Sequence, residues 1–196
     1  MQETEIKLRI ASPAAMRRRL RGLGFHAIGP RQLERNLVFD TSDGALRNRQ
    51  QLLRLRSKGR RWWLTWKGRP ASDSLHKVRE EIEVELGDGA ALEDILRRLG
   101  FCAVFQYEKY RTEFRQRGQR SQGHLLLDET PIGNFIELEG PPRWIDRIAA
   151  ELGYKLRDYV VASYGALYLA YCREQGLPAG DMVFPRRAGP RPRGKS

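Results

Sequence analysis

Residues 3–10 of this 196-residue chain read ETEIKLRI, and this stretch decides the fold. Charged side chains at Glu3, Glu5, Lys7 and Arg9 alternate with side chains that, after Thr4, are all aliphatic. A β-strand sends successive side chains to opposite faces. The period of two therefore predicts a strand with one charged and one apolar face.

The same alternation recurs along the chain, in segments 52–56, 61–67, 79–86, 107–115, 124–130 and 134–139. Lys58-Gly59 has the composition of a hairpin tip between two of these segments. We count about eight strands in all, which is enough to close a barrel.

Helices are fewer than strands. Ser12-Pro13 predicts the start of a helix that runs to Gly24. Apolar stripes predict three more helices, over 89–99, 142–152 and 157–174. The first three helices all end in Leu-Gly-aromatic, where glycine suits the helix C-cap. Strands in sequence, interrupted by amphipathic helices, indicate an α+β fold.

The charged strand faces allow two interpretations. Each could face water over an ordinary apolar core. Their dense mixed charge, and helices whose apolar stripes need a partner, favour an inverted arrangement in which the apolar faces lie outside a closed sheet. Charges inside a barrel are costly unless paired or bound. Arg and Lys bind phosphate oxygens and paired carboxylates bind hard metals, so a triphosphate with a divalent metal fits such an interior.

Composition excludes several classes of protein. The chain has net charge +12, pI near 10.2, two cysteines and three widely separated histidines, which disfavours a disulfide scaffold and a zinc site. It has neither a long uncharged apolar run nor a basic-then-apolar start, so we expect a cytoplasmic protein without a membrane span.

Residues 1–176 are expected to form one domain. Residues 177–196 are basic and rich in Pro and Gly, so we expect a disordered tail, and this tail is the only hint of a nucleic-acid partner.

An ordered set of motifs resembles the CYTH family, a branch of the triphosphate tunnel metalloenzymes that includes class IV adenylyl cyclases and thiamine triphosphatases. The opening Glu3-x-Glu5-x-Lys7 is similar to the family's ExExK signature. The further matches are Phe39-Asp40-Thr41, Leu53-Arg54-Leu55-Arg56, Leu64-Thr65-Trp66-Lys67-Gly68, Arg79-Glu80-Glu81-Ile82-Glu83, Glu108-Lys109-Tyr110-Arg111, Leu127-Asp128-Glu129, the run from Gly133 to Glu139, and Ser163-Tyr164. The resemblance spans about residues 1 to 172 and implies an eight-stranded antiparallel closed β-barrel with helices packed outside.

The resemblance also implies roles for individual residues. The divalent metals, Mg²⁺ or Mn²⁺, would be held by Glu3, Glu5, Asp128, Glu137 and Glu139. The triphosphate would be bound by Lys7, Arg54, Arg56, Lys67, Arg79, Lys109 and Arg111. Glu81 and Glu83 would either assist a metal or a water molecule or balance neighbouring arginines. The catalytic candidates are Lys7 and Lys67. Segment 36–39 offers no tyrosine to pair with Lys7 as in some hydrolytic relatives, which favours Lys67.

Three functions remain open at this point. The first is metal-dependent hydrolysis of inorganic triphosphate or of a small organic triphosphate. The second is a class IV-type adenylyl cyclase that converts ATP to cyclic AMP and diphosphate. The third is a polyphosphate or nucleotide binder without turnover, which the full set of carboxylates disfavours. The expected partner is a small-molecule triphosphate, bound by a monomer or a homodimer.

Overall fold

Nine β-strands in the described part of the chain form one sheet in which neighbouring strands run antiparallel. The computed structural model describes residues 2–71, 75–116 and 123–186. The strands are β1 (Gln2–Ile10), β2 (Phe25–Ala27), β3 (Gln32–Thr41), β4 (Leu52–Lys58), β5 (Arg61–Lys67), β6 (Lys77–Leu86), β7 (Phe101–Gln116), β8 (His124–Thr130) and β9 (Gly133–Glu139). The helices are α1 (Pro13–Gly22), α2 (Ala45–Asn48), α3 (Gly89–Arg98), α4 (Pro142–Glu151) and α5 (Tyr164–Gln175), with a 3₁₀ turn at Leu156–Asp158.

Eight of these strands close into a barrel. Their order is β7-β3-β4-β5-β6-β1-β9-β8, and β8 pairs back onto β7. The short β2 pairs with the last residues of β7 and lies outside this ring. The predicted α+β fold, an eight-stranded antiparallel barrel with helices outside, is confirmed.

The apolar strand faces point outward and are covered by helices. Ile145 and Ile148 of α4 are fully buried in one cluster with Leu8 of β1. On another side of the barrel, Leu96 of α3 packs over Leu55 of β4. Each fully buried aliphatic side chain contributes about 1.5–3 kcal/mol. The core therefore lies between barrel and helices, and the inside of the barrel is left to the charged side chains.

Three helices end at a glycine with left-handed backbone, as the Leu-Gly-aromatic repeats predict. Gly24, Gly100 and Gly153 have φ of 80°, 89° and 74°. Side chains other than glycine rarely adopt this conformation. The aromatic residue that follows returns under its helix. Phe25, for example, is 3% exposed within the core beneath α1.

The helix predicted over 157–174 is wrong in its first part. Residues 156–158 form the 3₁₀ turn, and α5 begins after Ser163, whose side chain caps Ala166 N. Between them, Val160 exchanges two backbone hydrogen bonds of 2.9 Å with Lys7. The pairing of β1 with β6 stops at Glu5, so the backbone groups of Lys7 need another partner. This tertiary pairing overrides the helical pattern.

Residues 177–186 belong to the tail that the sequence predicts to be disordered, and they lie among the described residues. Residues 177–184, here called the C-terminal strap, lie along β7 ahead of its pairing with β8. Met182 is fully buried and exchanges backbone hydrogen bonds with Gln106 and Glu108. The ring of Phe184 lies 5.1 Å from that of Tyr110, between centroids. Two apolar anchors and an available strand edge offset the ordering cost that composition alone suggests. Residues 187–196, the rest of the predicted tail, lie outside the described residues.

No helix in the described ranges combines the length and apolar character that a membrane crossing requires.

Candidate active site

Charged side chains line the inside of the barrel. Those less than one-tenth exposed include Glu5, Lys7, Arg54, Lys67, Lys109, Arg111, Asp128 and Glu137. The interior contains a cavity of about 1020 Å³. At one end the cavity is bounded by α5 and the strap, through Tyr164, Tyr168 and Asp181. The inward-charge interpretation of the sequence is therefore the correct one.

Three carboxylates meet on the wall formed by β1 and β9. One oxygen from each of Glu3, Glu5 and Glu139 lies within 4.8 Å of the other two. The register explains the meeting, because Glu5 of β1 lies directly opposite Glu139 of β9. Glu3 follows on the same face of β1, two residues away. We call these three residues the carboxylate cluster.

Lysines compensate the cluster only in part, since they pair with Glu3 and Glu5. Burial, together with a hydrogen bond to Glu81, raises the pKa of Glu3 to about 7. Burial also raises the pKa of Glu139 to about 8, and the nearby Glu137 and Glu5 add to the effect. Burial acts on Glu5 in the same direction, but Lys7 and Lys77 outweigh it and hold its pKa well below the usual range. Carboxylate oxygens are the ligands that hard divalent cations prefer, and a cation would relieve the repulsion, so the cluster fits Mg²⁺ or Mn²⁺.

Two predicted metal ligands, Asp128 and Glu137, lie among basic side chains instead. Asp128 accepts two hydrogen bonds from Arg111, at 2.7 and 2.6 Å, and one from Lys109 at 2.8 Å. The hydroxyl of Tyr164 donates a fourth, also at 2.8 Å. Glu137 accepts a short hydrogen bond from Arg111 and lies 3.5 Å from Lys7. Both lie outside the cluster, and a metal role for them stays a prediction.

The predicted catalytic lysines border the cluster. Lys67 Nζ lies 2.6 Å from oxygens of both Glu3 and Glu81. Lys7 Nζ lies 3.4 Å from Glu5. Burial alone would lower the pKa of Lys7, but the charges of Glu5 and Glu137 outweigh burial and raise that pKa above its usual value. Both amino groups thus lie where the cluster faces the cavity.

The predicted arginines line the same cavity. Arg56 donates to both oxygens of Glu83, at 2.9 and 3.0 Å, while Arg79 Nε lies 3.8 Å from Glu3. Glu83 also lies 3.6 Å from Arg54, so its contacts match the charge-balancing role considered for it. Among the described residues, the buried Nε atoms of Arg54, Arg56 and Arg79 have no hydrogen-bond partner. These atoms leave donors available to an anionic ligand.

Sequence reasoning missed two charged residues of the interior. Lys77 lies 2.8 Å from Glu5, and burial lowers its pKa to about 8. It lies two residues before Arg79 on the same inward face of β6, so the period-two alternation could have identified it. Glu34 is 1% exposed and 3.9 Å from Lys109, and despite burial the charges of Arg111 and Lys109 lower its pKa to about 2. Its surroundings, RQLERNLVF, lack the clean alternation that would have indicated an inward carboxylate.

Comparisons with known proteins agree with this geometry. The family model for the CYTH domain matches residues 1–152. A Methanocaldococcus jannaschii protein named "putative adenylate cyclase" is 31% identical over 180 residues, which cover 90% of this chain and all of that protein.

Two solved structures share the fold. One is a "putative adenylate cyclase" from Vibrio parahaemolyticus, with a TM-score of 0.71 and 18% identity, which covers 83% of this chain and 94% of its own. The other is a "putative adenylyl cyclase" from Hippeastrum described as having a dominant triphosphatase activity. It has a TM-score of 0.62 and 24% identity, covering 90% of this chain and 97% of its own. With the match over residues 1–152 and a charged interior in the described barrel, this chain belongs to the CYTH domain family.

Proposed function

We propose that this protein is a divalent-metal-dependent triphosphatase that hydrolyses inorganic triphosphate or a small organic triphosphate. The observation that carries the proposal is the carboxylate cluster at the wall of a cation-lined cavity, with three oxygens within 4.8 Å of one another. Metal-binding carboxylates and phosphate-binding side chains must face one space for phosphoryl transfer. A protein that binds triphosphate without turnover needs only the phosphate-binding side chains.

The basic side chains bind and orient the substrate. Arg54, Arg56 and Arg79 carry buried Nε donors without partners among the described residues, and guanidinium groups match the geometry of phosphate oxygens. Phosphoryl transfer depends mainly on positioning and electrostatic stabilisation, which such an array supplies. When bound, Mg²⁺ or Mn²⁺ held by the cluster would neutralise phosphate charge and lower the pKa of an attacking water.

Lys67 is the better candidate to stabilise the leaving group. Its ammonium lies 2.6 Å from Glu3, so it borders the cluster directly. When a water oxygen bonds to the terminal phosphorus, the bridging P–O bond breaks and its electron pair stays on the departing diphosphate. Lys67 can donate a hydrogen bond to that oxygen as its charge grows. Lys7, between Glu5 and Glu137, would hold the phosphate chain in line.

A class IV-type adenylyl cyclase is the second candidate. The Methanocaldococcus jannaschii relative is named "putative adenylate cyclase", and the cavity of about 1020 Å³ reaches the upper end of the range of about 300–1,000 Å³ for small-molecule sites. This volume exceeds what a bare triphosphate needs. In this reaction the ribose 3′-hydroxyl of ATP would attack the α-phosphorus and diphosphate would leave.

One experiment separates the candidates. The purified protein is offered inorganic triphosphate, thiamine triphosphate and ATP, each with Mg²⁺ or Mn²⁺, and phosphate and cyclic AMP are measured together. Phosphate without cyclic AMP supports the triphosphatase. Cyclic AMP from ATP would replace it with the cyclase, and no product from any substrate would favour a binding protein.

The matched variants are Glu5→Gln and Glu85→Gln. Glu5 is in the cluster, while Glu85 forms an exposed ion pair with Arg61. We expect Glu5→Gln to abolish metal-dependent turnover and Glu85→Gln to leave it unchanged. Full activity of Glu5→Gln with either metal would contradict the proposed cluster.

A further inference from the structure

Arg54 is held differently from three other buried basic side chains of the cavity. Lys67, Lys109 and Arg111 all lie within 2.8 Å of a carboxylate oxygen. Arg54 instead donates to two hydroxyls, Tyr107 Oη at 3.3 Å and Thr65 Oγ1 at 3.1 Å. The carboxylate of Glu83 lies farther away, at 3.6 Å, so the two hydroxyls rather than a carboxylate fix the orientation of the guanidinium.

The hydroxyl of Tyr107 also faces the cavity with its own hydrogen uncommitted. Tyr107 is 7% exposed and lines the cavity beside Arg54. Its ring stacks on Phe105 at 5.7 Å and tilts against Tyr164 at 6.1 Å, between centroids. The oxygen accepts the Arg54 proton, and no acceptor for the phenol hydrogen is found among the described residues. A buried donor without an acceptor costs free energy, which a ligand acceptor would recover.

We propose that Tyr107 is a substrate-contacting residue whose hydroxyl donates a hydrogen bond to a phosphate oxygen that Arg54 also binds. This inference rests on the proposed function. No covalent bond is made or broken at the phenol, which keeps its proton throughout. A phosphate oxygen beside Arg54 is the anionic acceptor that this pair of donors fits.

The electrostatic surroundings support a strong donor at this position. Burial alone would raise the pKa of Tyr107, but the positive charges of Arg54 and Lys109 outweigh it and lower the pKa. A more acidic hydroxyl forms stronger hydrogen bonds to an anion. Within the described cavity lining, Tyr107 thus adds a directional neutral donor to the charged ones.

The test compares Tyr107→Phe with Tyr168→Phe. Both rings stack on Phe105 and both side chains line the cavity, but the Tyr168 hydroxyl already donates to the backbone oxygen of Asp181 at 3.1 Å. Each substitution removes one hydroxyl and keeps the ring.

The dissociation constant of inorganic triphosphate is measured by calorimetry in EDTA, and kcat and KM are measured with Mg²⁺. The increase in Tm caused by triphosphate is measured for each variant relative to that variant without ligand. A variant that is merely less stable is then not mistaken for one that binds triphosphate more weakly.

We expect Tyr107→Phe to weaken triphosphate binding roughly 10- to 100-fold, as for a hydrogen bond to a charged group, with a smaller change in kcat. Tyr168→Phe should match the wild type. In an Arg54→Ala background, Tyr107→Phe should weaken binding further. No further loss there would mean that Tyr107 acts only by holding Arg54, and the inference would be wrong.

Two other outcomes are distinguishable. If the wild type binds and hydrolyses triphosphate and Tyr107→Phe does both equally well, this inference fails and the proposed function stands. If the wild type neither binds nor hydrolyses triphosphate, the proposed function fails and the inference fails with it.

Discussion

Replacing Glu139 by glutamine should stabilise the metal-free protein and remove its response to metal. Glu139 is one of three carboxylates whose oxygens lie within 4.8 Å of one another. Burial and the neighbouring carboxylates raise its pKa from 4.5 to about 8. Glutamine keeps the shape of the side chain but never ionises, so the repulsion that Glu139 exerts on the other two carboxylates disappears.

The sign follows from proton binding. Between the unfolded-state pKa of 4.5 and the folded-state value of about 8, the folded protein holds a proton on Glu139 that the unfolded chain has released. The free energy of unfolding therefore falls as pH rises through this window. One pKa unit corresponds to about 1.4 kcal/mol, so the wild type should lose about 3 kcal/mol relative to Glu139→Gln between about pH 5.5 and pH 8.5.

The assay is urea unfolding followed by tryptophan fluorescence. Wild type and Glu139→Gln are compared in EDTA at both pH values, and then with Mg²⁺ at the higher pH. A metal that binds only the folded state at 100 times its Kd stabilises it by about 2.7 kcal/mol. We expect this gain in the wild type and not in Glu139→Gln. Using the difference between the two proteins cancels titrating groups that do not interact with Glu139. Glu3, with a pKa of about 7, does interact with it, so the difference reports Glu139 together with this coupling.

The control is Glu85→Gln, which removes a carboxylate that pairs with Arg61 on the surface. It should follow the wild type at both pH values. The reasoning is refuted if the stability difference between wild type and Glu139→Gln stays constant from low to high pH. Equal stabilisation of both proteins by Mg²⁺ would separately refute the role of Glu139 in metal binding.

Three further predictions concern other parts of the barrel. Asp128→Asn should destabilise the fold by roughly 3–5 kcal/mol in urea unfolding, because it leaves buried cations uncompensated, and an unchanged midpoint would contradict this. Arg56→Ala should raise the KM for triphosphate at least several-fold, whereas the exposed Arg61→Ala should not, and equal KM values would count against an inward Arg56. Met182→Ala should lower stability by roughly 2–5 kcal/mol because its side chain is fully buried, and a change as small as that of Val183→Ala would mean that the strap does not stabilise the barrel.

The alternating charge pattern predicted the strands and the direction of their side chains. Glu5 and Lys7 lie inside the barrel because the aliphatic residues that alternate with them, Ile6 and Leu8, pack in one cluster with residues of α1 and α4. Period two is a local property of the chain, so it can be read without knowledge of the neighbours. The C-cap glycines were equally local, and they were also predicted correctly.

The partners of each charge were not predictable in this way. Asp128 and Glu139 are both acids on inward faces, yet Asp128 accepts four hydrogen bonds from Arg111, Lys109 and Tyr164, whereas Glu139 lies beside two other carboxylates. The difference arises from strand register across the ring, which one sequence does not reveal. The same limit explains the misplaced start of the last helix, because Val160 is fixed by its pairing with Lys7.

The position of the carboxylate cluster along the chain has a consequence for biosynthesis. Two of its members belong to the first strand, and the third stands at the end of β9, more than 130 positions later. The backbone pairing of Lys7 in β1 also requires Val160, which is synthesised later still. Contacts this distant in sequence form late and slow the folding of β-rich domains. A nascent chain should therefore gain no protection from metal until β9 has left the ribosome, and its charged first strand stays unpaired with β9 until then, exposed to chaperones and proteases.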